Sequence, residues 1–189
     1  MSFFSSTREK RYWLGALIVL AAIITSLFAG QWMAEFFSDQ NVQAVIFLTC
    51  MILIGVAIII HGLQKRPGRY EIAALLGISG VFIMLFLRLG LAERSHLMEY
   101  SVLALFTHKA LQERMQVSIP AWRPALIAGI LAFAIGILDE CVQLLLPNRV
   151  FDPIDIIFNG IAVSGVIGSS LLLRWLRSKM VKNSDHDFT

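Results

Sequence analysis

The fold of this chain is decided by residues 124–146, which read PALIAGILAFAIGILDECVQLLL. An α-helix rises about 1.5 Å per residue, so about 20 residues cross the hydrocarbon core of a bilayer. The run is long enough to do so, and its polar residues Asp139, Glu140 and Gln143 lie near one end. It therefore predicts a transmembrane helix that carries ionisable groups near one membrane surface.

The composition of the whole chain agrees with a membrane protein. Of its 189 residues 57% are hydrophobic and 15% are charged, and the mean hydropathy is +0.73. Soluble domains carry roughly 25% charged residues. The net charge of +3 is too small to indicate a nucleic-acid partner. No linker divides the apolar runs, and Cys50 and Cys141 both fall inside them, so we expect one membrane domain without a disulfide.

Five further apolar runs bring the predicted number of transmembrane helices to six. The predicted spans cover residues 13–30, 43–63, 71–89, 95–111, 124–146 and 153–176. A basic cluster precedes the first run, as in a signal peptide, but the run is longer than a usual signal sequence and five spans follow. We therefore predict a retained signal-anchor. The expected fold class is an all-α integral membrane bundle.

The distribution of basic residues predicts the orientation of this bundle. With six spans, only Arg88, Arg94 and Arg149 of the 16 lysines and arginines lie on the side opposite the N-terminus. Cytoplasmic loops carry the excess of basic residues in membrane proteins. We therefore expect cytoplasmic N- and C-termini and a multi-pass protein of the inner membrane. Residues 1–94 would form three helices, residues 95–178 three more, and residues 179–189 a polar cytoplasmic tail.

Polar residues that are unusual for a membrane span collect on the outward side of this topology. They are Glu93, Arg94, His96, Glu99, Asp139, Glu140, Gln143, Asn148, Arg149, Asp152, Asp155 and Asn159. Charged groups below the membrane surface cost a few kcal/mol when unpaired, so they normally face the bundle interior. Helical spacing places His96 with Glu99 and Tyr100, and Asp155 with Asn159, on common faces. The candidate site is one pocket lined by His96, Glu99, Tyr100, Asp139, Glu140, Gln143, Arg149, Asp155 and Asn159.

Several of these residues also have a purely structural interpretation. Asp152 precedes Pro153 and is suited to cap a helix, and an acid at Asp155 also favours a helix start. His96 could be an interfacial residue, and Arg149 could only balance neighbouring carboxylates. Adjacent acids near the C-terminal end of a helix are electrostatically unfavourable, so the end of the fifth span requires a partner such as Arg149 or a bound cation.

Small residues recur every four positions in the last two spans. These residues are Ala128, Ala132 and Gly136, and Gly160, Ser164 and Gly168. Such spacing lets helix backbones approach closely in lipid, although glycine and alanine are common in membrane helices in any case. We expect these two stripes to make helix contacts.

The segment 96–168 resembles the VanZ-like family. The resemblance is carried by His96-x-x-x-Tyr100, Asp139-Glu140-x-x-Gln143, Asn148-Arg149, and Asp155-x-x-x-Asn159-Gly160. It implies a bacterial cytoplasmic-membrane protein that serves cell-envelope physiology or antibiotic resistance of the glycopeptide type, teicoplanin tolerance included. It implies no catalytic assignment.

Four functions are compatible with these residues. In the first, the pocket binds a lipid-linked envelope precursor, an anionic phospholipid or a lipoglycopeptide. Arg149 would hold a phosphate or carboxylate, Gln143 and Asn159 would donate hydrogen bonds, and a divalent cation would bridge the carboxylates to the ligand. No other cofactor is expected.

The second function is a membrane enzyme in which His96, Asp139 and Glu140 act as acid/base groups or metal ligands. The sequence contains no nucleophile motif, zinc-protease motif or phosphate-binding loop to support it. The third is a proton-coupled carrier, although the acids lie near one surface and no inverted repeat is visible. The fourth is a polar network that only fixes helix register.

Overall fold

The computed structural model describes residues 4–28, 39, 41–42, 45, 49, 68–88, 91–115, 119–147 and 149–186. All regular elements in these ranges are helices, as the sequence predicted. They are α1 (Thr7–Phe28), α2 (Arg69–Arg88), α3 (Leu91–Met115), α4 (Trp122–Gln143) and α5 (Pro153–His186). Apart from Val45 and Thr49, the predicted span at 43–63 lies outside the described residues.

Three of these helices are long and apolar enough to cross a membrane. They are Thr7–Phe28, Trp122–Gln143 and the Pro153–Lys179 part of α5. Their large apolar side chains point away from the bundle: Ile18, Ile130 and Leu138 are 62%, 59% and 62% exposed. Apolar surface of this kind requires lipid around it. The chain is therefore a membrane protein, while the total of six spans and their orientation stay predictions.

The helix ends differ from the predicted spans in ways that local chemistry explains. α4 ends at Gln143 rather than at residue 146, because Leu144 and Leu145 form a turn ahead of Pro147. α5 begins at Pro153, and the Asp152 carboxylate accepts a hydrogen bond from the Ile154 amide at 2.8 Å. The capping interpretation of Asp152 is thus confirmed. α5 then continues to His186, through most of the predicted polar tail.

Helix α3 lies at the centre of the bundle. It packs against α1, α4 and α5, and α2 packs against α5. Its contact face carries Leu97, Tyr100, Leu103 and Ala104, all at most 3% exposed. A helix that is covered on three sides can carry polar residues in a membrane, because its neighbours shield them from lipid. The central position therefore accounts for the polar character of α3.

Small residues allow the other helices to approach α3 closely. The core contains Ala16 of α1, Ala132 of α4 and Ala162 of α5. At Gly15 a side chain would meet the ring of Phe106 on α3 at 2.8 Å. Glycine is needed there because no larger residue fits between α1 and that ring.

The two predicted small-residue stripes have different surroundings. On α4, Ala128, Ala132 and Gly136 are all buried, as expected for a packing stripe. On α5, Gly160 is half-buried against Phe133, whereas Ser164 and Gly168 are exposed. The predicted helix contacts are seen for the α4 stripe and for Gly160 of the α5 stripe, and contacts at Ser164 and Gly168 stay a prediction. The buried positions of α5 lie instead at neighbouring residues such as Ala162. Cys141 is a free, exposed thiol, and Cys50 lies outside the described residues.

Within the described ranges, two ion pairs join helices at the end of the bundle where α3 ends. The Glu9 carboxylate of α1 lies 3.5 Å from the Arg114 guanidinium of α3 and also accepts a hydrogen bond from the Trp13 indole. Arg177 of α5 donates to the Glu71 carboxylate of α2. The first pair links α1 to α3 and the second links α2 to α5.

Candidate functional site

Four ionisable side chains converge where α3 begins, α4 ends and α5 begins. The Nδ1 atom of His96 lies 4.0 Å from a carboxylate oxygen of Asp139. Its Nε2 atom lies 3.7 Å from Glu140 and 3.5 Å from Asp155. We call His96, Asp139, Glu140 and Asp155 the acidic cluster. The side chains of the cluster are at most 12% exposed.

Local structure fixes the orientation of each member of the cluster. Leu97 and Tyr100 anchor the first turns of α3 in the core, and the His96 ring stacks on the Tyr100 ring with an interplanar angle of 7°. The end of α4 is closed by hydrogen bonds from the Leu145 and Leu146 amides to the preceding turn. The chain then turns directly into α5, which places Asp155 opposite α4.

Two amide side chains, those of Gln143 and Asn159, lie next to the acidic cluster. Gln143 donates a hydrogen bond to Glu140 at 2.9 Å. Asn159 lies one turn after Asp155 on α5 and is fully buried, packed against Gly136 of α4. A side chain on Gly136 would lie 3.1 Å from the Asn159 amide nitrogen. Asn159 therefore forms the floor of the cluster, between α4 and α5.

Several buried polar atoms of the site have no hydrogen-bond partner among the described residues. They are His96 Nδ1, the Tyr100 hydroxyl, Asp139 Oδ1, Glu140 Oε2 and both amide atoms of Asn159. The Tyr100 hydroxyl lies near Asp139 but outside hydrogen-bonding geometry. Leaving a buried polar group unsatisfied costs about 1–3 kcal/mol. Unpartnered atoms from three helices thus meet in one place.

Arg149 and Glu99 lie beside the cluster and form its rim. Arg149 donates a hydrogen bond from Nη2 to the backbone carbonyl of Ser26, near the end of α1. Glu99 is half-buried and lies within electrostatic range of both Arg149 and Asp139. Arg149 therefore links the α4–α5 connection to α1 and also lies near the acids that were expected to be its partners. Ser26 could not be predicted from sequence, because it contributes only a backbone carbonyl.

All nine residues of the predicted pocket are thus placed at one end of the bundle. Of the other polar residues that the sequence predicted on this side, Asp152 caps α5, and Arg94 is half-buried and engaged in a further interaction. Asn148 and the side chain of Glu93 lie outside the described residues. His108 is buried lower on α3, where its Nε2 lies 2.9 Å from the Gln112 amide.

An apolar groove runs along the lipid-facing side of the bundle between α4 and α5. It is lined among others by Trp122, Gly129, Phe133, Ile157, Gly160 and Ser164. Its upper end at Ile157 and Gly160 is next in sequence to the Asp155 and Asn159 positions of the site. The same two helices therefore carry a polar cluster and, beside it, an apolar channel open to lipid.

The cluster consists of residue types that could bind a cation or exchange a proton. Carboxylates and one imidazole dominate it, and one ligand atom each from His96, Asp139 and Glu140 lies within 4.8 Å of the others. Comparisons of this chain with protein-family models, with curated proteins and with solved structures found no match.

Proposed function

We propose that the chain is a VanZ-like protein of the bacterial inner membrane that binds an anionic or lipid-linked amphiphile. In this proposal six helices cross the membrane, both termini are cytoplasmic, and the acidic cluster with its rim faces outward. The observation that carries the proposal is that α4 and α5 bear both a buried polar site and an apolar groove, whose lining residues Ile157 and Gly160 lie one or two positions along α5 from Asp155 and Asn159. An amphiphile requires both surfaces side by side.

The polar head of the ligand would occupy the rim and the cluster. Arg149 Nε is buried and has no hydrogen-bond partner within the described part of the chain. A guanidinium binds phosphate or carboxylate oxygens strongly, and its Nε–H forms one arm of the usual bidentate pair. The amides of Gln143 and Asn159 would hydrogen-bond sugar or peptide groups. The acyl or polyprenyl chain would lie in the groove past Gly160.

The head-group contact is tested by lipid binding to the purified protein in detergent. The probes are phosphatidylglycerol, undecaprenyl phosphate and, as a neutral reference, phosphatidylcholine, measured by native mass spectrometry. We expect an anionic lipid to bind more tightly than phosphatidylcholine, and Arg149→Gln to weaken its binding about tenfold, as for loss of a charged hydrogen bond. Arg123→Gln is the matched control, since Arg123 is exposed at the other end of α4. Equal binding by Arg149→Gln and wild type would contradict the proposal.

Which phosphate lipid binds separates the two sources of the head group. A preference for undecaprenyl phosphate would indicate a lipid-linked envelope precursor, and a preference for phosphatidylglycerol would indicate an anionic phospholipid. The teicoplanin expectation is tested separately, by measuring the survival of cells that express wild type or Arg149→Gln. Equal survival of the two strains would remove the antibiotic-resistance part of the proposal.

The groove is tested by filling it. Ser164 lines the groove, whereas a side chain at Gly168 would meet nothing within 4 Å. We expect Ser164→Phe to reduce lipid binding and Gly168→Phe to leave it unchanged. If both variants bind like wild type, the apolar chain does not lie in this groove.

The outward orientation is tested by single cysteines at Arg94 and Arg149 in a variant that lacks Cys50 and Cys141. A membrane-impermeant maleimide should label these positions in intact spheroplasts. A cysteine replacing Ser178, which is exposed near the end of α5, should react only after the membrane is opened. Labelling in the reverse pattern would place the site on the cytoplasmic side.

A membrane-embedded enzyme that acts on a lipid-linked substrate is the second candidate function. It is favoured by the grouping of His96 with Asp139 and Glu140, which could hold a metal or transfer protons. Glu140→Gln should then abolish turnover of a lipid-linked phosphate that the wild-type protein converts. Absence of turnover by wild type would remove this candidate and leave the binding function in place.

A further inference from the structure

The distances within the acidic cluster are too long for hydrogen bonds and suit a metal ion. His96 lies 3.5–4.0 Å from three carboxylates, whereas N–H···O bonds measure about 2.7–3.2 Å. Around a metal with ligands at about 2.0–2.2 Å, adjacent ligand atoms lie roughly 2.8–3.6 Å apart and opposite ones about 4.2 Å. The ligand atoms of His96, Asp139 and Glu140 lie within 4.8 Å of one another, so they would move closer by about 0.6–1.2 Å to bind one ion.

Unpartnered polar atoms supply an independent observation. His96 Nδ1 and Glu140 Oε2 are buried and lack hydrogen-bond partners among the residues that the structure describes, and so do both amide atoms of Asn159. Asn159 is fully buried at the floor of the cluster. Buried polar groups in proteins are nearly always paired, so unpaired atoms around one point indicate a ligand there.

His96 also has the environment of a metal-binding histidine. Its Nδ1 atom faces Asp139, and its Nε2 atom lies 3.5 Å from Asp155. Histidines that bind a metal through one nitrogen commonly donate the other N–H to a carboxylate, which fixes the ring orientation. Asp155, the carboxylate nearest to the ring, would take this role as the cluster contracts around the ion.

We propose that His96, Asp139 and Glu140 bind one divalent metal ion, Mn²⁺ or Zn²⁺, with Asp155 orienting the imidazole and Asn159 at the floor. One imidazole with two carboxylates suits these ions, whereas Mg²⁺ and Ca²⁺ prefer oxygen ligands alone. A divalent ion also compensates the adjacent acids Asp139 and Glu140, which are buried in a low-dielectric environment. Metal binding does not depend on the proposed function. A role of the metal in holding the lipid's anionic oxygen, in contrast, rests on the proposed function.

The test is metal binding by the full chain, purified in detergent and stripped with a chelator. MnCl₂, ZnCl₂ and MgCl₂ are titrated separately, with free Mn²⁺ followed by electron paramagnetic resonance and bound zinc by elemental analysis after dialysis. We expect one equivalent of Mn²⁺ or Zn²⁺ per chain and at least tenfold weaker binding of Mg²⁺. Failure of wild type to bind either Mn²⁺ or Zn²⁺ would overturn the inference, whatever the variants do.

Two variants locate the ion. Glu140→Gln should weaken binding about 10–100-fold, a loss of the size seen when the surroundings of a metal site are altered. Glu113→Gln is the matched control, because Glu113 is an acid at the opposite end of α3, and it should bind metal like wild type. Equal binding by Glu140→Gln would overturn the assignment, and His96→Gln provides a second ligand variant if Glu140→Gln does not fold.

Lipid binding measured with and without the metal separates this inference from the proposed function. If the metal binds but no phosphate lipid does, the proposed function fails and the metal site stands. If lipid binds equally well to the stripped protein, the function stands without a metal anchor.

Discussion

Gly136 on α4 is the position where one added methyl group should disturb the site directly. The Cβ of an alanine there would lie 3.1 Å from the Asn159 Cβ and Nδ2 atoms and 3.3 Å from its Cγ. Carbon atoms prefer a separation of about 3.5–4.0 Å, so α4 and α5 must separate by a few tenths of an ångström or Asn159 must rotate. Overpacking of this kind costs about 1–3 kcal/mol.

The matched control is Gly168→Ala on α5, where the added Cβ would meet nothing within 4 Å. Both variants gain the same helix propensity, so their difference isolates the clash. One kcal/mol corresponds to about 2–4 °C in Tm for a chain of this size, which predicts Gly136→Ala to melt about 2–12 °C below Gly168→Ala. Thermal unfolding in detergent gives this difference, and the metal titration should show weaker binding in Gly136→Ala alone. Equal Tm values for the two variants would refute the close contact between Gly136 and Asn159.

Two further predictions concern the scaffold. Gly15→Leu should lower Tm by several degrees, because its Cβ would lie 2.8 Å from the Phe106 ring. Adding Phe106→Ala to this variant should restore part of the lost Tm. If the second change restores nothing, α1 and α3 do not meet at this position. Arg177→Ala should lower the free energy of unfolding by about 1–2 kcal/mol, because it removes a hydrogen-bond donor from the buried Glu71 carboxylate. Arg177→Lys keeps the positive charge, so it should lose less. Thermal unfolding measures both, and a loss in Arg177→Lys equal to that in Arg177→Ala would contradict the contribution of the positive charge.

The sequence predicted the helical class and the residues that come together, because both follow from periodicity. Charged residues in apolar runs must avoid lipid, so His96, Asp139 and Asp155 could be expected to face one another from three different helices. The Asp152-Pro153 pair predicted the start of α5 through helix capping, and the structure shows the Asp152 carboxylate accepting a hydrogen bond from the Ile154 amide. These inferences need no knowledge of which helices are neighbours.

What the sequence could not predict depends on tertiary packing. The alanine and glycine spacing is similar on α4 and α5, yet α4 buries its stripe and α5 leaves Gly168 exposed. The Arg149 contact with the Ser26 carbonyl leaves no trace in sequence, because any residue supplies that acceptor. The central position of α3 likewise follows from its neighbours and not from its own hydrophobicity.

The three acids of the cluster lie at helix ends whose dipoles have opposite signs. Asp155 lies in the first turn of α5, where the positive end of the helix dipole stabilises a carboxylate. Asp139 and Glu140 lie in the last turns of α4, where the dipole opposes them, and they also repel each other.

If the cluster only fixed helix register, the paired change Asp139→Asn and Glu140→Gln would break a structural network and lower Tm. If instead these acids bind a cation, the same change removes their mutual repulsion, so Tm of the metal-free protein should rise or stay equal. The increase in Tm on adding Mn²⁺ or Zn²⁺ should then disappear. Thermal unfolding of both proteins with chelator and with metal gives the sign, and a lower Tm of the variant in chelator would favour the structural network.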